Sequence, residues 1–132
     1  MLENYDRLVG MVHSAAPETH IGVMLPVPPA ASQDAFGANY GTGQTRWQYK
    51  RNQHRLGERM LEHYGSREAE CIHLLPTHVN LDCLHNYPTE PVNFNADSEL
   101  RGVRQNNGVH PALSGYDQIG DSLFAWLKGR VE

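Results

Sequence analysis

Two short apolar runs, "HIGVMLPVPP" at residues 20–29 and "ECIHLLP" at residues 70–76, constrain this chain more than any other feature. Each is nearly continuous rather than alternating, and each stops at a proline, which removes a ladder donor. That pattern suits a strand covered on both faces in a parallel sheet. Parallel strands need a long crossover, and the segment between the runs supplies one. Residues 44–65, "QTRWQYKRNQHRLGERMLEHYG", place Tyr49, Gln53, Leu56, Met60 and Tyr64 on one helical stripe, with Gly65 at the stop position. A helix is also expected over residues 2–16, where Tyr5, Leu8, Val9 and Val12 recur at three- and four-residue spacing and Pro17 closes the segment. A third is expected over residues 113–128, with Tyr116, Ile119, Leu123 and Leu127 aligned and Trp126 beside them.

The remaining stretches lack a period. Gly, Ala and Ser dominate residues 30–43, which read as one long loop, the kind that borders sites in compact domains. Residues 77–107 read as a second excursion, with a short hairpin around "NYPTEPVNFN". The order helix, strand, helix, strand, helix predicts an α/β, flavodoxin-like three-layer fold in a single domain, 1–132. Two parallel strands are too few to cover three helices, so the sheet is expected to be completed by another copy of the chain or by a further segment.

A net charge of −4, with 11 Lys and Arg spread over 132 residues, argues against nucleic acid as a partner. The longest apolar stretch is too short to cross a membrane, and the first ten residues lack the flank and run of a signal peptide. Cys71 and Cys83 read as ordinary thiols. His73, His78, Asp82, Cys83 and His85 supply metal-ligand types in one span, but their spacing fits no zinc pattern, so neither metal nor cofactor is expected. The basic cluster Lys50, Arg51, His54 and Arg55 reads as a solvated helix face, and Trp47 and Trp126 as core or interhelix packing rather than a sugar platform.

One histidine stands apart. His110 sits in Gly-Val-His-Pro directly before the last helix, where Gly108 permits a tight backbone and Pro111 holds the chain after the imidazole. In open α/β sheets, the loops at the carboxyl ends of strands carry the chemistry. The block "NNGVHPALSGYDQIGDSLFAWL" resembles the final block of the SGNH or GDSL-type hydrolases, esterases and lipases of flavodoxin-like fold, whose pattern is Asp-x-x-His-Pro followed by Gly-Tyr. The histidine falls on His110, the proline on Pro111 and Gly-Tyr on Gly115 and Tyr116. "LENYDRLVGMVHSAAPETHIGVMLPVPP" and "RMLEHYGSREAECIHLLP" are similar to the two preceding helix–strand units of that family, so the resemblance runs over most of the chain.

The resemblance implies hydrolysis of an O-acyl ester, such as an acetyl group on a carbohydrate. A serine attacks the carbonyl, His110 is the general base and Asn107, three residues before it, orients the ring. Two departures accompany it. No serine stands in a Gly-Asp-Ser context after a strand, so the chain corresponds to the C-terminal portion of such a hydrolase without its nucleophile block. Asn107 also replaces the acid, and an amide cannot stabilise imidazolium by charge; Asp82 and Asp97 are other carboxylates on offer. The bland reading of Asn107 is a turn residue before Gly108. From a different class, the alternative is a non-catalytic module that keeps half the fold and binds a partner through the basic helix or long loop. A Gly-Asp-Ser block encoded ahead of Met1 favours the enzyme, its absence the module.

Overall fold

The computed structural model describes residues 1–131. Helix α1 (Leu2–Ala15) leads into β1 (Ile21–Met24), followed by α2 (Gln33–Tyr40), α3 (Arg46–Tyr64), a 3-10 turn over Glu68–Glu70, and β2 (Ile72–Leu75). A single turn, α4 (Thr77–Asn80), precedes the strands β3 (Thr89–Asn93) and β4 (Arg101–Gln105), and α5 (Leu113–Val131) closes the chain. The result is a small mixed α/β domain with two separate two-stranded sheets. β1 and β2 are parallel, with Ile21 opposite Ile72 and Met24 opposite Leu75; β3 and β4 form an antiparallel hairpin.

The period-two alternation of strands decides what each helix can bury. Val23 and Leu25 of the β1 segment and Ile72 of β2 face α1 and α3, where they form one core with Val9, Met60 and Tyr64. Gly22 and His73 face the other way, towards α5: a Cβ on Gly22 would lie 2.7 Å from Leu75 Cδ1 and 3.3 Å from the Trp126 ring, so the missing side chain makes room for both. Helices thus flank both faces of the parallel pair, which is the local arrangement of a three-layer fold, although a two-stranded sheet is narrower than any flavodoxin-like sandwich.

That narrowness corrects several sequence expectations. The α3 stripe is buried as its period requires, with Gln53, Met60 and Tyr64 inside. On α1 only Val9 is buried; Tyr5, Leu8 and Val12 lie on the open flank, Leu8 being 60% exposed. On α5, Tyr116 and Leu127 are likewise exposed. β1 is not covered on both faces either, since Met24 remains 40% exposed. A helical stripe is buried only where a sheet face lies beneath it, and two strands cannot cover α1 and α3 together on one face.

The stretch expected to be a long loop contains α2. Ser32 caps it, its Oγ accepting from the Ala35 N–H, and its own Phe36 is wholly buried. Thr45 and Gln48 form a reciprocal capping box that starts α3. Trp47, read as packing, instead projects from α3 with 60% of its surface exposed; its position lies off the buried stripe. Trp126 does pack, its ring centroid 5.8 Å from that of His73.

At the amino end of the parallel pair lies a polar relay in which His73 is buried and its two partners, His20 and Arg130, are exposed. Arg130 of α5 donates to His73 Nδ1 at 2.8 Å, and His73 Nε2 is 2.8 Å from His20 Nδ1. A guanidinium can only donate, so His73 Nδ1 carries the lone pair and its proton sits on Nε2, which donates to His20. The relay therefore holds His73 neutral. Burial foremost, then the charge of Arg130 and the neighbouring His20, pulls its pKa below the ordinary imidazole value, with Glu68 opposing weakly.

Candidate functional site at the carboxyl edge of the parallel strands

Where β1 and β2 end, three loops are tied into one body. The segment after β1 carries most of the ties. Thr77, fully buried, donates its hydroxyl to Leu25 O at 2.6 Å; Gln53 donates to Pro26 O at 2.7 Å; the Tyr87 hydroxyl donates to Pro28 O. Farther on, Ala30 N–H reaches Gly108 O at 3.0 Å and Ala31 N–H reaches Cys83 O at 2.9 Å. Gln105, almost wholly buried, satisfies all three strands of chain at once: its Oε1 accepts from Ser32 N–H, and its Nε2 donates to the carbonyls of Cys83 and Leu84. Ala30, Ala35, Leu81 and Tyr87 fill the small apolar core beneath. Burial drives the Tyr87 phenol upward, so it stays a neutral donor.

On this body sits the turn bearing His110. Asn107 Oδ1 accepts from the N–H groups of both Val109, at 3.0 Å, and His110, at 2.9 Å, which closes the turn by a side-chain to backbone motif. Gly108 N–H donates to Asn39 Oδ1 of α2 at 2.7 Å. A Cβ on Gly108 would meet the Phe36 backbone at 2.3 Å, so close approach to α2 is what requires glycine there. Pro111 is buried, and the next N–H, of Ala112, bonds to Asn86 O at 2.9 Å. Gly115 has the same need: its Cβ would lie 2.6 Å from Asn86 O. The backbone around His110 is therefore held from both sides while its imidazole is exposed. Among the described residues no side chain hydrogen-bonds that ring. The oxygen of Asn107, expected to orient it, is engaged with the turn.

The carboxylate–imidazole pair of this edge lies elsewhere. Asp82 Oδ2 is 2.8 Å from His85 Nδ1, while its Oδ1 accepts from the N–H groups of Leu84 and His85. These contacts, the His85 ring first and the backbone donors next, hold the Asp82 carboxyl below its ordinary pKa. His85 borders a groove of about 590 Å³ whose walls include Ser32, Leu84, Val103 and Gln105. Asp82-x-x-His85 carries the Asp-x-x-His spacing, without the proline, and that was the signal available in the sequence. Asp97 lies on the loop joining β3 and β4, its N–H bonded to Asn95 Oδ1.

Serine hydroxyls are engaged locally: Ser14 with Gly10 O, Ser32 as the α2 cap, Ser114 with Asn86 and Ser122 with Gln118 O, and among the described residues none is hydrogen-bonded to a histidine. Burial raises the Cys83 thiol above its usual pKa, which disfavours a thiolate nucleophile. Among the described residues no three His, Cys, Asp or Glu side chains gather as a metal would need, and no helix is long and apolar enough to cross a membrane.

Comparison with protein-family models, with curated proteins and with solved structures finds no match to this chain.

Proposed function

We propose that this chain carries the histidine-bearing part of an SGNH-like hydrolase acting on O-acyl esters, with His110 as general base. One observation supports this reading above the others. An exposed imidazole with no side-chain hydrogen-bond partner among the described residues stands on a turn pinned by Asn39, Asn86 and Asn107, beyond the carboxyl ends of two parallel strands and directly before the last helix. His73, by contrast, is buried and bonded to both Arg130 and His20. Asn107 then acts by shaping the turn that presents His110, and a group outside the described hydrogen-bond network would orient the ring.

A base needs a nucleophile to activate. The chain alone is expected to turn over a short chromogenic ester no faster than free imidazole, and a fluorophosphonate should leave it unlabelled; stoichiometric labelling would contradict this. Mixed with a separate polypeptide bearing a Gly-Asp-Ser block of the family, turnover should appear and be lost in His110→Ala. Turnover that survives His110→Ala would remove the assignment of this residue.

The non-catalytic alternative draws on the exposed apolar residues of α1 and α5 and on the surface of α3. It predicts no ester turnover in any such mixture.

A further inference from the structure

The exposed side of α3 carries a feature that ester hydrolysis does not use. Arg46, Lys50, Arg51, Arg55 and Arg59 are five of the chain's 11 Lys and Arg residues, set within 14 positions of a chain whose net charge is −4. Arg59 pairs with Glu62, and Arg46 donates Nε to Ala30 O. Lys50, Arg51 and Arg55 form no ion pair among the described residues. Arg51 and Arg55 stand one turn apart, as do Arg55 and Arg59, and like charges at that spacing destabilise a helix by about 0.2–0.5 kcal/mol per pair. The five cations thus outnumber Glu58 and Glu62, the carboxylates of the same helix, and the face stays positive.

Trp47 stands at the head of the same face with its indole 60% exposed. The Arg46 guanidinium lies over its ring, 5.0 Å from the centre, and so does the Lys50 ammonium, at 5.6 Å, so a ligand meets the part of the indole that these cations leave open. Trp47, Lys50, His54 and Glu58 line a depression of about 390 Å³, and Arg51 and Arg55 join it to a larger one of about 920 Å³. The second is walled by Tyr40, Gln44, Gln48 and Asn52. Glu58 is the one carboxylate on either lining.

The geometry points to a binding site for an anionic oligosaccharide, one bearing carboxylate or sulfate groups. Each part of such a ligand finds its counterpart. The apolar C–H face of a sugar ring stacks on an exposed indole. Amide and phenol groups of Gln44, Gln48, Asn52 and Tyr40 both donate and accept, as hydroxyls require. Arg51 and Arg55 present planar guanidinium groups that pair with carboxylate or sulfate oxygens through two parallel hydrogen bonds. A single-stranded nucleic acid fits less well. It asks for a series of aromatic platforms along a cationic track, whereas this face offers one indole and a wall of amides. The site stands whether or not the chain takes part in ester hydrolysis.

Titration of the full chain, followed by tryptophan fluorescence and calorimetry, tests this directly. The probes are a galacturonate hexasaccharide, a sulfated hexasaccharide, a neutral glucose hexasaccharide and an oligothymidylate of matching charge. Binding of either anionic sugar is expected at low salt, with the neutral sugar and the oligonucleotide at least about tenfold weaker. Preference between the two anionic sugars identifies the substituent. Trp47→Ala and the double variant Arg51→Ala/Arg55→Ala should each weaken binding about tenfold, the range that two exposed charge-assisted contacts supply. Unchanged circular dichroism and melting temperature would show that both variants are folded, as exposed side chains imply. Equal or tighter binding of the oligonucleotide, equal binding of the neutral sugar, no binding of either anionic sugar at millimolar concentration, or full affinity in Trp47→Ala would each overturn the assignment.

Discussion

Lowering the pH should unfold this protein through His73. In the folded chain its Nδ1 faces the Arg130 guanidinium and its Nε2 the lone pair of His20, so a second ring proton would point at a donor. The folded-state pKa is depressed, whereas the unfolded chain titrates near the ordinary value of about 6.5. Between those two values the unfolded state binds the proton and the folded state does not, so stability rises with pH across that window. The contribution is fully present above pH 6.5 and is lost as pH falls from there towards the folded value. Its limiting slope is one proton, about 1.4 kcal/mol per pH unit. For a domain of this length that amounts to a fall in Tm of about 5 °C per unit. The charged groups facing the ring are Arg130 from α5, His20 before β1 and Glu68 from the 3-10 turn; only Glu68 opposes the effect. Urea unfolding of wild type and His73→Gln at half-unit steps from pH 7.5 to 5.0 isolates the term, because the other histidines and carboxylates titrate in both. The wild-type curve should be steeper by up to one proton below pH 6.5. Arg130→Met should flatten it partway, since burial and His20 remain. Parallel curves for wild type and His73→Gln would refute the tautomer argument.

Gly108→Ala forces a Cβ to 2.3 Å from the Phe36 backbone and should cost about 3 kcal/mol, read from the urea midpoint. Asn107→Ala removes two turn hydrogen bonds and should cost about 1–2 kcal/mol, while His110→Ala, an exposed change, should stay within about 0.5 kcal/mol; equal losses in both would mean that the imidazole is structural. Asn107→Asp in a complemented, active mixture tests orientation: unchanged turnover fits a turn residue, increased turnover an orienter. The exposed stripes of α1 and α5 and the open edges of a two-stranded sheet should drive self-association. Sedimentation at micromolar concentration should show a species of at least twice the 14.9 kDa chain mass, and a compact monomer would count against it.

The sequence by itself determined the elements whose signals are local. Both proline-terminated runs are strands, they pair in parallel, and α3 buries the stripe its period draws, because backbone restriction and side-chain period act within a few residues. The hairpin expected around residues 86–95 holds β3 alone; its partner β4, Arg101–Gln105, lies beyond that stretch and was not legible. α2 was not either, since eight residues rich in glycine and alanine show no period; what stabilises them is the Ser32 cap and the burial of Phe36 beneath a turn about 70 positions away. Nor could periodicity tell that the stripes of α1 and α5 lie open, for a stripe is buried only by the sheet that others build. The site divides the same way. His110, its proline and its glycine were legible as a held turn, while the Asn107 oxygen, equally able to reach the ring or the backbone, was committed by the turn it closes. Asp82 found His85 three residues on, a pairing the spacing permitted and the loop's path settled. His73 met Arg130 across 57 positions, and Trp47 was left in solvent beside Arg46 and Lys50. Contacts of this kind depend on where distant segments come to rest, and only the folded chain decides that.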